Sequence, residues 1–231
     1  IPIMPFRALV LTAALALLSA CDSSPSTALP AAAENRTAPL FDNLGDHHHR
    51  ITTDHPQAQR YFDQGLILAY GFNHAEAKRS FLEAARLDPE CAMCWWGAAL
   101  VLGPNINKPM DPSDNAEALR HVATARRHAD RTTRLERDLI AALGMRYSDA
   151  STDDRAPLDA AYADAMAGVA RTHGNNPDVL ALYAEAVMDT MPWDYWVDPA
   201  TPRPATRQVL AALEQALARD ASHPGANHFY I

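Results

Sequence analysis

Glycine is scarce in this chain, 9 of 231 residues, while 48% of the residues are hydrophobic. That balance excludes a disordered polymer and leaves enough apolar side chain to bury one substantial core. Positive charge is also in short supply: 20 Lys and Arg against 28 Asp and Glu give a net charge of −8 and a pI near 5.6. Phosphate binding draws on clustered Lys and Arg, so nucleic acid is not an expected partner. Strand-like alternation is nearly absent. So are the common catalytic signatures: no GxSxG, HExxH, P-loop or GxGxxG occurs, and the chain is expected to be no enzyme, with no catalytic residue and no cofactor.

A membrane-spanning run is missing too. The apolar stretch ALVLTAALALLSA, residues 8–20, follows a lone Arg7 and is too short to span a bilayer comfortably. It reads as a signal peptide over residues 1–20, with Met4 as the plausible start. Leu18-Ser19-Ala20-Cys21 resembles the bacterial lipobox, which implies that Cys21 carries lipid and becomes the new N-terminus. A periplasm-facing protein of the bacterial cell envelope follows from that resemblance, touching membrane through its lipid anchor only. Residues 21–54 are then a tether, rich in Ser, Thr, Ala and Pro at its start, and an N-terminal polar segment.

What is present from Pro56 onward is helical period, broken by Pro, Gly, Asn and Asp. Helices are expected near 57–71, 74–87, 90–102, 113–129, 132–147, 156–172, 177–190 and 205–219, with another beginning near 224. Short links between consecutive helices make antiparallel hairpins. In the first pair, Tyr61, Gly65 and Leu68 share one stripe, Ala77, Phe81 and Ala84 share the next, and Pro89 closes the unit. These positions match the tetratricopeptide repeat, and Gln64 departs from it where the consensus prefers Leu. Six residues after Pro89 comes Trp95, expected to be the core aromatic that opens a second repeat. The segment HHHRITTDHPQAQRYFDQGLILAYGFNHAEAKRSFLEAARLDPECAMCWWGAALVLGPNIN, with MPWDYW and HPGANHFYI later, resembles a family of bacterial secreted tetratricopeptide-repeat lipoproteins with no assigned activity. The fold this implies is all-α: an α-α superhelix of hairpins over residues 55–231, whose concave surface binds a protein or peptide partner. A solenoid needs a polar terminal cap, and none is visible before Ile231, so the superhelix is expected to be truncated at its C-terminus.

Several clusters invite chemistry. Cys91 and Cys94 have CxxC spacing, but Trp95 follows where c-type haem attachment needs His, and no second pair completes a zinc site. The pair is open to being a disulfide, two thiols or part of a metal site. His47, His48 and His49 make an exposed polar turn in one reading. In the other, with His74, Cys91 and Cys94, they bind copper or zinc, or support thiol redox chemistry, in an envelope protein. Asn73 and His74, Asn105 and Asn107 in GPNIN, and Trp193, Tyr195 and Trp196 in MPWDYW sit at helix junctions. These loops are the expected ligand-contacting surface.

Overall fold

Nine helices follow one another along residues 38–149 and 154–231, the residues described in this computed structural model. They are α1 (Pro56–Tyr70), α2 (His74–Leu87), α3 (Ala92–Leu100), α4 (Asn115–His128), α5 (Arg134–Leu143), α6 (Ala156–His173), α7 (Pro177–Met188), α8 (Pro204–Arg219) and α9 (Pro224–Tyr230). Local chemistry sets their starts. Pro occupies the first turn of α1, α6, α7, α8 and α9, where its missing N–H goes unneeded. Thr133 and Glu136 form a reciprocal capping box on α5. Among the described residues the named strands are β1 (Trp196–Asp198) and β2 (Thr201–Pro202), an antiparallel ribbon between α7 and α8.

Helices adjacent in sequence pack on one another, as the hairpin reading requires. The first pair is built around Phe81. A Cβ on Gly65 of α1 would stand 2.7 Å from its ring and one on Gly97 of α3 2.4 Å, so the ring is wedged between two helix backbones that only glycine lets this close. Tyr61, Leu68, Ala77 and Ala84 are buried around it. Trp95 is not the core aromatic that the interval from Pro89 suggested. Trp96 is, fully buried with its indole N–H donating to the Leu139 carbonyl, while Trp95 lies half-buried against His121. The helix turns the second tryptophan inward and leaves the first to donate to the exposed Pro89.

Two features depart from an open solenoid, in which each unit touches only its neighbours. Helix α9 packs on α1 as well as on α7 and α8, so the first and last of the described helices meet. Its Gly225 lies flat on the Tyr70 ring, where a Cβ would come within 2.6 Å. The polar segment ahead of α1 is also no free tether from Ala38 onward. Gln64 explains its own departure from the repeat pattern by holding that segment: its amide donates to the Pro39 carbonyl (2.8 Å) and accepts from the Phe41 N–H (2.7 Å). Further along, Thr52 donates to Glu136, and Gln59 donates to the His49 carbonyl. The signal peptide and Cys21 fall outside the described residues. No described helix is long and apolar enough to cross a membrane.

Candidate functional site

Helix α7 carries the two ends of the site. Its sequence PDVLALYAEAVM is apolar except for Asp178 and Glu185, and Asp189 follows as its C-cap. Residues 7 and 11 apart return to the same side of a helix within about 20°, so the three acids form one buried stripe.

At the N-terminal end, Asp178 gathers four side chains. Its Oδ1 accepts from Tyr70 (2.8 Å), His47 Nε2 (2.9 Å) and His223 Nε2 (3.1 Å), and its Oδ2 from His49 Nδ1 (2.7 Å). Burial alone would raise the Asp178 pKa, but the hydrogen bonds from His223, His47 and His49 outweigh it and hold the carboxyl well below its ordinary range. The helix N-terminus favours the same anion. Burial would lower His49, and the hydrogen bond and charge of Asp178 reverse that and raise it. The exposed-turn reading is therefore corrected for His47 and His49, which are tucked against Asp178. His48 alone points out, to Asp63.

His47, Asp178 and His223 offer ligand atoms within 4.8 Å of one another, a span a divalent ion could bridge. The chemistry of His223 argues otherwise. Its Nδ1 accepts the Ala226 N–H at 3.0 Å to cap α9, so the neutral ring carries its proton on Nε2 and donates it to Asp178. A metal-bound imidazole needs the reverse, a free Nε2 and a donating Nδ1–H. The other proposed ligands do not converge: Cys91 and Cys94 are joined in a disulfide, with 5.4 Å between α-carbons, and His74 instead meets Asn105. The cluster is a hydrogen-bonded knot that ties the N-terminal segment, α1, α7 and α9 together.

At the C-terminal end of α7 the balance is different. Asp189 Oδ2 accepts from the buried Arg146 (2.6 Å), whose guanidinium also donates to the Pro104 carbonyl and lies over the Tyr162 ring at 4.7 Å. Burial drives the Asp189 pKa well above its usual value despite the opposing charge of Arg146, and burial raises Glu185 as well. One guanidinium thus faces two buried carboxyls at the negative pole of the helix. Asp189 Oδ1 and the Tyr162 and Tyr195 hydroxyls are buried without a partner.

Asp189 also lines a cavity of about 700 Å³, bounded by the Pro104–Pro109 loop, α4, the start of α6 and Pro192. Two of the three loops singled out by sequence meet here, and Pro192 borders the cavity from the third, while Trp193, Tyr195 and Trp196 line neither cavity. Asn105 and Asn107 line this cavity, and with Asn73 and His74 they also line a neighbouring one of about 300 Å³. Burial, then the charges of Arg146 and Lys108, lower His74 to about 4, so it is neutral. Beyond Pro192 the chain surfaces: Trp193 is 70% exposed, Trp196 49% and Val197 63%, with Tyr195 half-buried behind them. Sequence reasoning missed Arg146, Asp178, Asp189 and His223, although three acids on one stripe of an apolar helix were there to be read. No family model, curated protein or solved structure matches the chain.

Proposed function

We propose that this chain is a lipid-anchored, periplasm-facing scaffold of tetratricopeptide-like hairpins that binds a protein or peptide partner. The observation that carries the reading is the ledge of Trp193, Trp196 and Val197, three large apolar side chains open to solvent in the loop that follows Pro192, a residue lining the loop-bounded cavity. Exposed tryptophans concentrate binding energy where they dock. Trp193 also holds φ 61°, a left-handed conformation that bulky residues avoid; such strain persists where the surroundings enforce it and gathers at functional sites. Because α9 meets α1 and α7, the binding face in this reading is this rim in place of the concave surface. Support for the repeat reading comes from the Gly65–Phe81–Gly97 wedge, and support for anchoring from the Leu18–Cys21 sequence alone.

The test is co-purification from native envelope with the parent chain and with Trp193→Ser/Trp196→Ser. Exposed side chains are changed, so thermal unfolding should stay put. A partner retained by the parent and lost by the double variant is the expected result. An unchanged set of co-purifying proteins would contradict the proposal.

A further inference from the structure

The cavity bordered by Pro192 has a chemical preference of its own. Asp189 is its most deeply buried acid, and that carboxyl is only half used: Oδ2 accepts from Arg146, while Oδ1 is buried without a hydrogen-bond partner. A buried acceptor left unmade is costly, and a donor supplied by a ligand would relieve it. Three observations give that donor its charge. Asp189 caps the C-terminus of α7, the negative pole of the helix dipole. Glu185, one turn back, adds a second buried carboxyl against the same Arg146. The cations on the cavity wall are partly committed or peripheral: Arg155 pairs through Nη2 with Asp159 (3.1 Å), although its Nε is buried without a partner, and Lys108 lies exposed on the rim.

Resting on the reading of ledge and cavity as a partner site, we infer that the cavity takes a primary ammonium group, a lysine side chain of the bound peptide, which donates to Asp189 Oδ1 and by its charge holds that carboxyl ionised. A guanidinium is the poorer fit. Its planar fork seeks both oxygens of a carboxylate, and Arg146 already holds one; a compact ammonium needs a single oxygen and satisfies its other protons from neighbouring acceptors. Asn105, Asn107 and Asp149 line the same cavity and supply them.

The experiment is an amide NMR titration of the ¹⁵N-labelled chain with acetyl-Gly-Lys-Gly-amide, and with the same peptide carrying norleucine or glutamate at the centre. The lysine peptide should shift the resonances of Ile106, Asn107 and Asp189 saturably. Asp189→Asn should weaken it about tenfold or more, the loss of one charge-assisted hydrogen bond. Ala116→Phe, which places a ring at the cavity mouth from an exposed position on α4, should weaken it too and decides the matter if Asp189→Asn fails to fold. Equal binding of the norleucine peptide would overturn the inference in favour of an apolar ligand. Preference for glutamate would overturn it in favour of an anion held by Lys108 and Arg155. Both of those outcomes leave the cavity a ligand site. Silence with all three peptides overturns the inference alone, because the tryptophan double variant reads partner binding independently.

Discussion

Asp178 and Asp189 stand on one stripe of α7, one at its N-terminal turn and one at its C-cap, and their carboxyl groups are driven in opposite directions. Both are buried, so desolvation pushes both up. The difference is what answers it. Asp178 receives four donors and the positive pole of the helix, whereas Asp189 receives one guanidinium, shares it with Glu185, and faces the negative pole. The first end is a closed structural knot, and the second keeps one buried carboxyl oxygen without a partner.

The knot should leave a signature in the pH dependence of stability. His49 has a raised pKa, so its contribution is complete below the ordinary value of 6.5 and is lost as pH climbs through the folded value. Asp178 has a lowered pKa, so its contribution is present above 3.8 and is lost as pH falls through the folded value. The knot therefore stabilises most between about 4 and about 6.5. Urea unfolding at pH 5.5 and pH 8.5 should show a smaller decline for His49→Gln than for the parent. Asp178→Asn should cost about 3–5 kcal/mol at the lower pH, the penalty for removing one partner of a buried charged pair. Equal declines for parent and His49→Gln would contradict this account.

Gly103 opens the GPNIN loop against the buried Arg146. A Cβ there would lie 2.7 Å from the guanidinium carbon. Gly103→Ala must therefore move Arg146 off Asp189 or the loop off both, at about 1–3 kcal/mol. Urea unfolding measures the loss, and a variant as stable as the parent would show that Arg146 has room the structure denies it.

The cap on α9 predicts the response to metal. Because His223 keeps its proton on Nε2 while Nδ1 accepts from Ala226, excess Zn²⁺ should leave the unfolding temperature unchanged. His223→Ala should lower stability by about 1 kcal/mol or more through the lost cap. Saturable stabilisation by Zn²⁺ that His223→Ala abolishes would show that the ring turns to bind metal.

The first hairpin was legible because its signals are local. Tyr61, Gly65, Phe81 and Ala84 recur at helical spacing within one repeat, and every one of them packs as that spacing requires. Trp95 was misread because two tryptophans adjoin and an interval counted from Pro89 does not say which faces in. His47 and His49 were misread as surface because their partner, Asp178, lies 131 and 129 residues away. The alternation of an extended chain turns them to one side and His48 to the other, and only the fold shows which side is buried. The Asn and Trp loops were found from composition, while the buried pair Arg146 and Asp189 joins the turn after α5 to the C-cap of α7 across 43 residues.

The central claim is that burial is answered differently at the two ends of α7: four donors close the Asp178 carboxylate, whereas Asp189 keeps one oxygen without a partner and has a raised proton affinity. Side-chain ¹³Cγ NMR titration of the Asp-labelled chain reads it directly, with Asp178→Asn and Asp189→Asn giving the assignments. Asp178 should stay ionised below the ordinary aspartate range, and Asp189 should take up its proton well above it. Two aspartates titrating together near the ordinary value would contradict the account.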